Sequence, residues 1–400
     1  MIEVAPHLLE WAKDRAGLSD EDLAAAFPRY PDWVAQTVKP TLKQLEGFAA
    51  KAHVPLGYLF LDEPPDEPLP IADYRTHRDK GVSKASPELL DTLHTMIQRQ
   101  AWMRDYLLEV GAEPLPFVGS SSVRDGVFSV AQAMRQTLGM SAGWARQYAT
   151  WIKAFTSLLE ICEDAGILFS VNGVVDNNTH RRLNPEEFRG FVLVDPYAPL
   201  VFINGEDAKS AQMFTLAHEL AHLWLGQASL FDIPALEAKG NAVEVFCNQV
   251  AAEFLVPESE LRQSWPSYGG GAATFDSLAR VFKVSPLAIG RRALELGLVD
   301  RPVFFAFYQQ RVQQERKIPE GEGGGNFYAT QRFRLGKPFA AAVVRSAQGG
   351  TLLYRDAYRL LGLRGPTGAC QPPCVHFSSD LSTWRASQFF RRVVDPNRTG

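Results

Sequence analysis

One helix-forming segment constrains the fold more than any other part of this 400-residue chain. The segment FTLAHELAHLWLG contains the pattern H-E-x-x-H, from His218 to His222, and has no proline. Histidines four residues apart project from one face of a helix, so both imidazoles can reach one ion. Glu219 lies beside them, where it can take a proton from a water whose pKa zinc lowers to about 7. The pattern predicts a zinc site; the alternative is a helix with two buried histidines and no metal.

A catalytic zinc site needs a third protein ligand and an open fourth position. Glu244 follows His222 by 22 residues, in the helix-forming segment NAVEVFCNQVAAEFLVP. Asn248 lies one turn further along the same face, where its side chain can hydrogen-bond a ligand. Glu253 projects from the opposite face of this helix, so only one of the two glutamates can face the ion. Glu237 is a weaker alternative, since a lysine and a glycine that follow it indicate a loop.

These segments resemble the ImmA/IrrE family of zinc endopeptidases. The resemblance is carried by FTLAHELAH, by E-x-x-x-N with AAEFLVP, and by the preceding EFRGFVLVDPYAPLVFINGEDAKSAQM, over roughly residues 160–257. It implies a zincin-like core of the gluzincin type, with zinc held by His218, His222 and Glu244 and with Glu219 as the general base.

The same resemblance implies a protein substrate, namely an Xre-type transcriptional repressor cut in a stress- or phage-linked regulatory switch. Some similar genes neighbour toxin genes. The alternative function is therefore an antitoxin-like or regulatory binding protein with a silent peptidase site, whose partner is the product of an adjacent gene.

The remaining sequence predicts an α+β protein, mostly helical and multidomain, with a small sheet in the peptidase core. Apolar residues at helical spacing predict helices that include 31–38, 87–111, 142–165, 213–225 and 242–255. Two runs rich in Val, Ile and Phe, 167–175 and 191–204, predict strands. We predict five regions: an Xre-like helix-turn-helix domain (1–61), a Pro-rich acidic linker (62–86), a helical connecting region (87–150), the zinc peptidase domain (151–300) and a basic C-terminal region with an irregular tail (301–400).

Charge gives only weak support to nucleic acid as a partner of the N-terminal domain. Residues 1–61 hold 6 Lys/Arg against 8 Asp/Glu, and PRYPDWVAQTV lies where a recognition helix should present basic groups. Residues 301–400 hold 15 Lys/Arg against 6 Asp/Glu, which leaves 26 against 39 for residues 1–300. This split is typical of a basic segment with an acidic or nucleic-acid partner, and the alternative is an ordinary solvated surface.

Composition predicts a cytoplasmic protein without a membrane segment. No apolar run reaches 18 residues, the N-terminus lacks a signal-peptide core, and four cysteines make no disulfide framework. Cys370, Cys374 and His376 have the wrong spacing for a zinc knuckle, so we predict an irregular tail there.

Overall fold

The computed structural model describes residues 2–66, 85–231, 242–268, 272–315 and 332–363. The chain divides into two compact units, the first ending at Leu93 and the second beginning at His94. The architecture is mostly helical with one small mixed sheet, so the predicted α+β class is confirmed. Among the described helices, none combines the length and the apolar character that crossing a bilayer requires.

The first unit opens with four short helices and a 3₁₀ turn. They are α1 (Pro6–Arg15), α2 (Asp20–Ala26), α3 (Tyr30–Val34), α4 (Leu42–Lys51) and the turn Leu56–Phe60. Ser19 and Thr41 begin α2 and α4 with capping boxes, in which side chain and backbone satisfy each other's hydrogen bonds. The predicted helix 31–38 is wrong at its C-terminal end, because Gln36 adopts a φ of 58° and stops the helix.

The division between the units falls within helix α5 (Pro87–Glu109). The second unit continues with ten more α-helices and four strands in its described residues. The helices are α6 (Val127–Thr137), α7 (Trp151–Asp164), α8 (Lys209–Leu225), α9 (Ala242–Leu255), α10 (Glu258–Ser264), α11 (Ala272–Phe282), α12 (Pro286–Glu295), α13 (Arg301–Glu315), α14 (Lys337–Gln348) and α15 (Tyr354–Leu360). The strands are β1 (Leu168–Asn172), β2 (Gly190–Leu193), β3 (Leu200–Asn204) and β4 (Ser229–Phe231).

The sheet has the order β1-β3-β2-β4. β1 pairs parallel with β3, whereas β2 is antiparallel to both β3 and β4. A tight turn separates β2 from β3, since the Asp195 carboxylate accepts hydrogen bonds from the backbone N–H groups of Tyr197 and Ala198, at 2.8 and 2.9 Å. Strands β1 to β3 are buried along their whole length, which agrees with their apolar composition.

Two predicted helices differ from the structure at their N-termini. The helix predicted over 142–165 is wrong in its first third: Gly143 has a φ of 67°, a 3₁₀ turn follows, and Thr150 caps the start of α7. Helix α8 begins at Lys209, earlier than the predicted 213, with Ala208 as its N-cap residue. The 3₁₀ turn buries Trp144 and Ala145, whose apolar side chains imitate the period of a helix, whereas the polar start of α8 carries no apolar periodicity.

The core of the second unit lies between the sheet and helices α6 to α9, α11 and α12. Its largest fully buried side chain is Trp224, which stacks on Phe117 with ring centroids 4.6 Å apart. Helix α8 is buried at almost every position from Gln212 to Trp224. The H-E-x-x-H segment therefore lies in the interior of the domain, on a rigid element.

Candidate metal centre

Helices α8 and α9 pack against each other and hold the centre. His218 and His222 are on α8 with no exposed surface, and Glu244 lies in the first turn of α9 with 5% of its surface exposed. The ligand atoms of these three side chains all lie within 4.8 Å of one another. Two segments distant in sequence thus bring two imidazoles and one carboxylate together.

The separations between the ligand atoms fit a metal ion. The two Nε2 atoms of His218 and His222 are 3.0 Å apart, and they lie 3.1 and 3.2 Å from the oxygens of Glu244. Zinc bonds of about 2.0–2.2 Å at tetrahedral angles place ligand atoms about 3.3–3.6 Å apart. His222 Nδ1 is buried and has no hydrogen-bond partner among the described residues. The donor set, two nitrogens and one carboxylate, is the kind that zinc prefers.

Asn248 orients one of the histidines. Its Oδ1 lies 3.1 Å from Nδ1 of His218, one helical turn beyond Glu244. Because an amide oxygen only accepts, Nδ1 carries the proton and the lone pair of His218 is on Nε2, toward Glu244. Burial lowers the pKa of His218 to about 4, which keeps the imidazole neutral and able to bind a metal.

The carboxyl of Glu244 is held in its ionised form. Burial by itself raises the pKa of this group, but the close approach of the imidazoles of His218 and His222 outweighs it and holds the pKa well below its usual range. Glu244 is therefore deprotonated, and a divalent cation binds a carboxyl ligand in this ionised form.

Glu219 has a different environment from Glu244. Its side chain is fully buried, and burial raises its pKa well above the ordinary value for a glutamic acid. The hydroxyl of Ser229, on β4, donates a 2.8 Å hydrogen bond to Oε2. Oε1 has no hydrogen-bond partner within the described parts of the chain. One oxygen is therefore fixed by Ser229, and the other is available to a proton.

Gly190, the first residue of β2, lets α8 approach the sheet at this point. A Cβ atom there would lie 2.7 Å from Cγ2 of Thr215, 2.8 Å from the carbonyl oxygen of Phe202 and 3.5 Å from Oε1 of Glu219. Sequence reasoning missed both Gly190 and Ser229. Their parts in the centre depend on which strand each residue pairs with, and no local pattern encodes that.

The alternative third ligand takes another role in the structure. Glu253 forms a buried ion pair with Arg292 of α12 and accepts 3.3 Å hydrogen bonds from the backbone N–H of Glu258. It contributes to packing at the start of α10, whereas Glu244 lies against the histidines. Glu237 and the cysteine-containing tail at Cys370 and Cys374 lie outside the described residues.

The part of the chain that holds the metal centre is similar to a known peptidase domain. Residues 162–294 match a peptidase family model described as the IrrE N-terminal-like domain. These residues are therefore similar to the peptidase domain of the ImmA/IrrE family. The resemblance inferred from the sequence is thereby confirmed for the segment that carries β1 to β4, both helices of the centre and α12.

A characterised protein is similar over a longer stretch. The chain is 31% identical over 193 residues to the radiation response metalloprotease IrrE of Deinococcus deserti, which covers 46% of this chain and 64% of the relative. The chain thus spans just under two thirds of that protein. A second family model, a domain of unknown function, matches residues 335–367, around α14 and α15.

Proposed function

We propose that this chain is a zinc-dependent endopeptidase that cleaves a protein substrate. The observation that carries the proposal is the convergence of His218, His222 and Glu244 to within 4.8 Å, with Glu219 on the same helix. The match of residues 162–294 to a peptidase family model and the similarity to a metalloprotease support it. The three residues would hold the ion, and Asn248 would fix the tautomer of His218.

The chain's own residues account for the proton transfers of peptide hydrolysis. Bound zinc would supply Lewis acidity, which activates water and polarises the peptide carbonyl. Glu219 would accept the proton of the attacking water and pass it to the leaving amine. Burial raises its pKa above the ordinary value, which makes its carboxylate a stronger base for this transfer. Ser229 would hold the carboxylate in one orientation during both transfers.

The substrate that we propose is an Xre-type transcriptional repressor, cut in a stress- or phage-linked switch in the cytoplasm. The support is the family resemblance together with the short N-terminal helices, which resemble an Xre-type domain joined to a peptidase. The N-terminal unit would then be a recognition or regulatory part.

The first experiment measures the metal content of the purified full-length protein by elemental analysis. We expect about one zinc per chain in the wild type, and loss of it in both His218→Ala and Glu244→Ala. His180→Ala, which changes an exposed histidine, is the matched control and should keep the metal. Absence of zinc after reconstitution would reject the peptidase and favour the alternative, a binding protein that partners the product of an adjacent gene.

The second experiment separates metal binding from catalysis. Glu219→Gln keeps the size of the side chain but cannot accept the proton, so we expect normal zinc content and a loss of cleavage of at least about 100-fold. The assay measures cleavage of purified Xre-type repressors from the same genome, by gel electrophoresis and mass spectrometry. Undiminished cleavage by the zinc-loaded variant would contradict the assigned role of Glu219.

A further inference from the structure

The outer edge of β1 lies at one end of the sheet, remote in strand order from β4. The backbone N–H of Leu168 donates to the carbonyl of Pro199, on the β3 side, at 2.8 Å. Since alternate residues of a strand direct their backbone groups to opposite edges, those of Phe169 face outward. An edge of this kind is a template for pairing with another chain unless the protein covers it.

The C-terminal segment, residues 332–363, lies against this edge. The hydroxyl of Ser170, on β1, donates a 2.7 Å hydrogen bond to the carbonyl of Arg334. Gly336 follows with a φ of 70°, and a Cβ there would lie 3.2 Å from the carbonyl oxygen of Phe169 and 2.9 Å from Oε1 of Glu163. A side chain at 336 would therefore crowd Glu163 and Phe169, and the positive φ also favours glycine there.

Two side chains of the domain each hold both ends of the C-terminal segment. Arg99, on α5 and 6% exposed, donates through Nε to the carbonyl of Leu360 at 2.9 Å and through Nη1 to that of Arg334 at 3.4 Å. Asn177, in the turn after β1, donates to the carbonyl of Gly362 at 2.6 Å and accepts from the guanidinium of Arg334. The guanidinium of Arg99 is buried, and these hydrogen bonds pair it with backbone carbonyls of the C-terminal segment. Because burying an unpaired charge is costly, this pairing indicates a site that fits the segment.

Helix α7 provides the third attachment. Glu163 is 9% exposed and accepts a 2.8 Å hydrogen bond from the backbone N–H of Lys337, at the start of α14. Glu160 forms ion pairs with Arg332 and Lys337. A carboxylate at a helix N-terminus satisfies an unpaired N–H and interacts favourably with the helix dipole.

From these contacts we infer that the C-terminal segment is a tethered cover for the edge of β1, which prevents that strand from pairing with a second copy of the chain. This assigns a role to a segment that overlaps a domain of unknown function, matched over residues 335–367. The contacts of this cover involve neither zinc nor peptidase activity, so the experiment below tests it independently of the proposed function.

The test compares two glycine variants of the full-length protein. Gly336→Ala adds a Cβ that crowds Oε1 of Glu163 and the carbonyl oxygen of Phe169, whereas the Cβ of Gly350→Ala, at a φ of 76°, meets no atom within 4 Å. Both variants carry the backbone strain of a positive φ, and only the first displaces the cover. We expect hydrogen exchange in peptides spanning 168–172 to be about tenfold faster in Gly336→Ala alone. Light scattering should show concentration-dependent self-association of the same variant.

Two results would overturn the inference. One is a hydrogen-exchange rate at 168–172 in Gly336→Ala that equals the wild-type rate. The other is faster exchange in Gly336→Ala while light scattering shows a monomer at every concentration measured. If Gly336→Ala does not fold, Ser170→Ala carries the test, because it removes one hydrogen bond from the cover without adding an atom. It should raise exchange about threefold in the same peptides and leave those of α9 unchanged.

Discussion

At the scale of single residues, the hydrogen bond between Ser229 and Glu219 is the clearest determinant that lies outside the H-E-x-x-H pattern. Ser229→Ala leaves a second buried oxygen of Glu219 without a partner, so we expect the free energy of unfolding to fall by about 1–3 kcal/mol. Zinc content should not change, since Ser229 contacts none of the proposed ligands in the geometry described above. Urea titration measures the first quantity and elemental analysis the second.

Ser120→Ala is the control for that variant. The Ser120 hydroxyl donates to the neutral carbonyl of Phe117 at 2.9 Å and belongs to an exposed residue, so its loss should cost less, about 0.5–1 kcal/mol. Equal losses in the two variants would contradict a special dependence of Glu219 on Ser229.

Glu163 makes the stability of the protein depend on pH. Burial raises the pKa of Glu163 from the ordinary 4.5 to about 7, against the opposing effects of Lys337 and Arg332, with Glu160 adding to the increase. The folded state therefore holds the proton more tightly than the unfolded chain. Its contribution is fully present below about pH 4.5 and is lost as the pH rises through about 7.

Glu163→Gln removes this titration while keeping an acceptor for the N–H of Lys337. Between pH 4.5 and 8, we expect the unfolding free energy of the wild type to fall relative to the variant by about 3 kcal/mol at most. Urea titrations of both proteins at a series of pH values measure the difference. Parallel pH profiles would show that Glu163 is not the group responsible.

At the scale of secondary-structure elements, the distance between α8 and β2 decides whether the centre can form. Gly190→Ala places a Cβ against Thr215 and Phe202, which overpacks this contact and should cost about 1–3 kcal/mol. We also expect weaker zinc binding, because the displaced helix carries both histidines. Thermal melting and zinc competition with a chromogenic chelator measure the two effects.

Gly57→Ala is the matched control for the strand glycine. Gly57 has no positive φ and an added Cβ there meets no atom within 4 Å, so neither stability nor zinc affinity should fall. A Gly190→Ala protein with normal melting and normal affinity would show that α8 does not depend on this close approach.

At the scale of the whole molecule, metal binding should be coupled to folding. Three buried side chains from two helices form a complete site only in the folded state, so zinc at about 100 times its dissociation constant should stabilise the protein by about 2.7 kcal/mol. Calorimetry with and without zinc should show a higher melting temperature for the wild type and for His180→Ala, and no change for His218→Ala. A rise of equal size in His218→Ala would place zinc elsewhere on the molecule.

Local helical geometry was enough to predict which side chains of the first helix face the centre. Residues four apart on a helix share a face whatever surrounds them, so the positions of His218, Glu219 and His222 followed from local geometry. The same reasoning separated the faces of Glu244 and Glu253 and put Asn248 beside the former. The α+β class followed from the change of apolar period between the helices and the strand segments, and the structure confirmed it.

The choice between the two glutamates depends on tertiary packing. Arg292 of α12 pairs with Glu253, while Glu244 lies 3.1 and 3.2 Å from the two imidazoles. The hydrogen bond from Ser229 to Glu219 joins residues 10 positions apart in the sequence. The hydrogen bond from Arg99 to Leu360, which holds the cover over β1, joins residues 261 positions apart. Such contacts depend on strand order and helix packing, which arise from burial of the whole core and not from any local pattern of the chain.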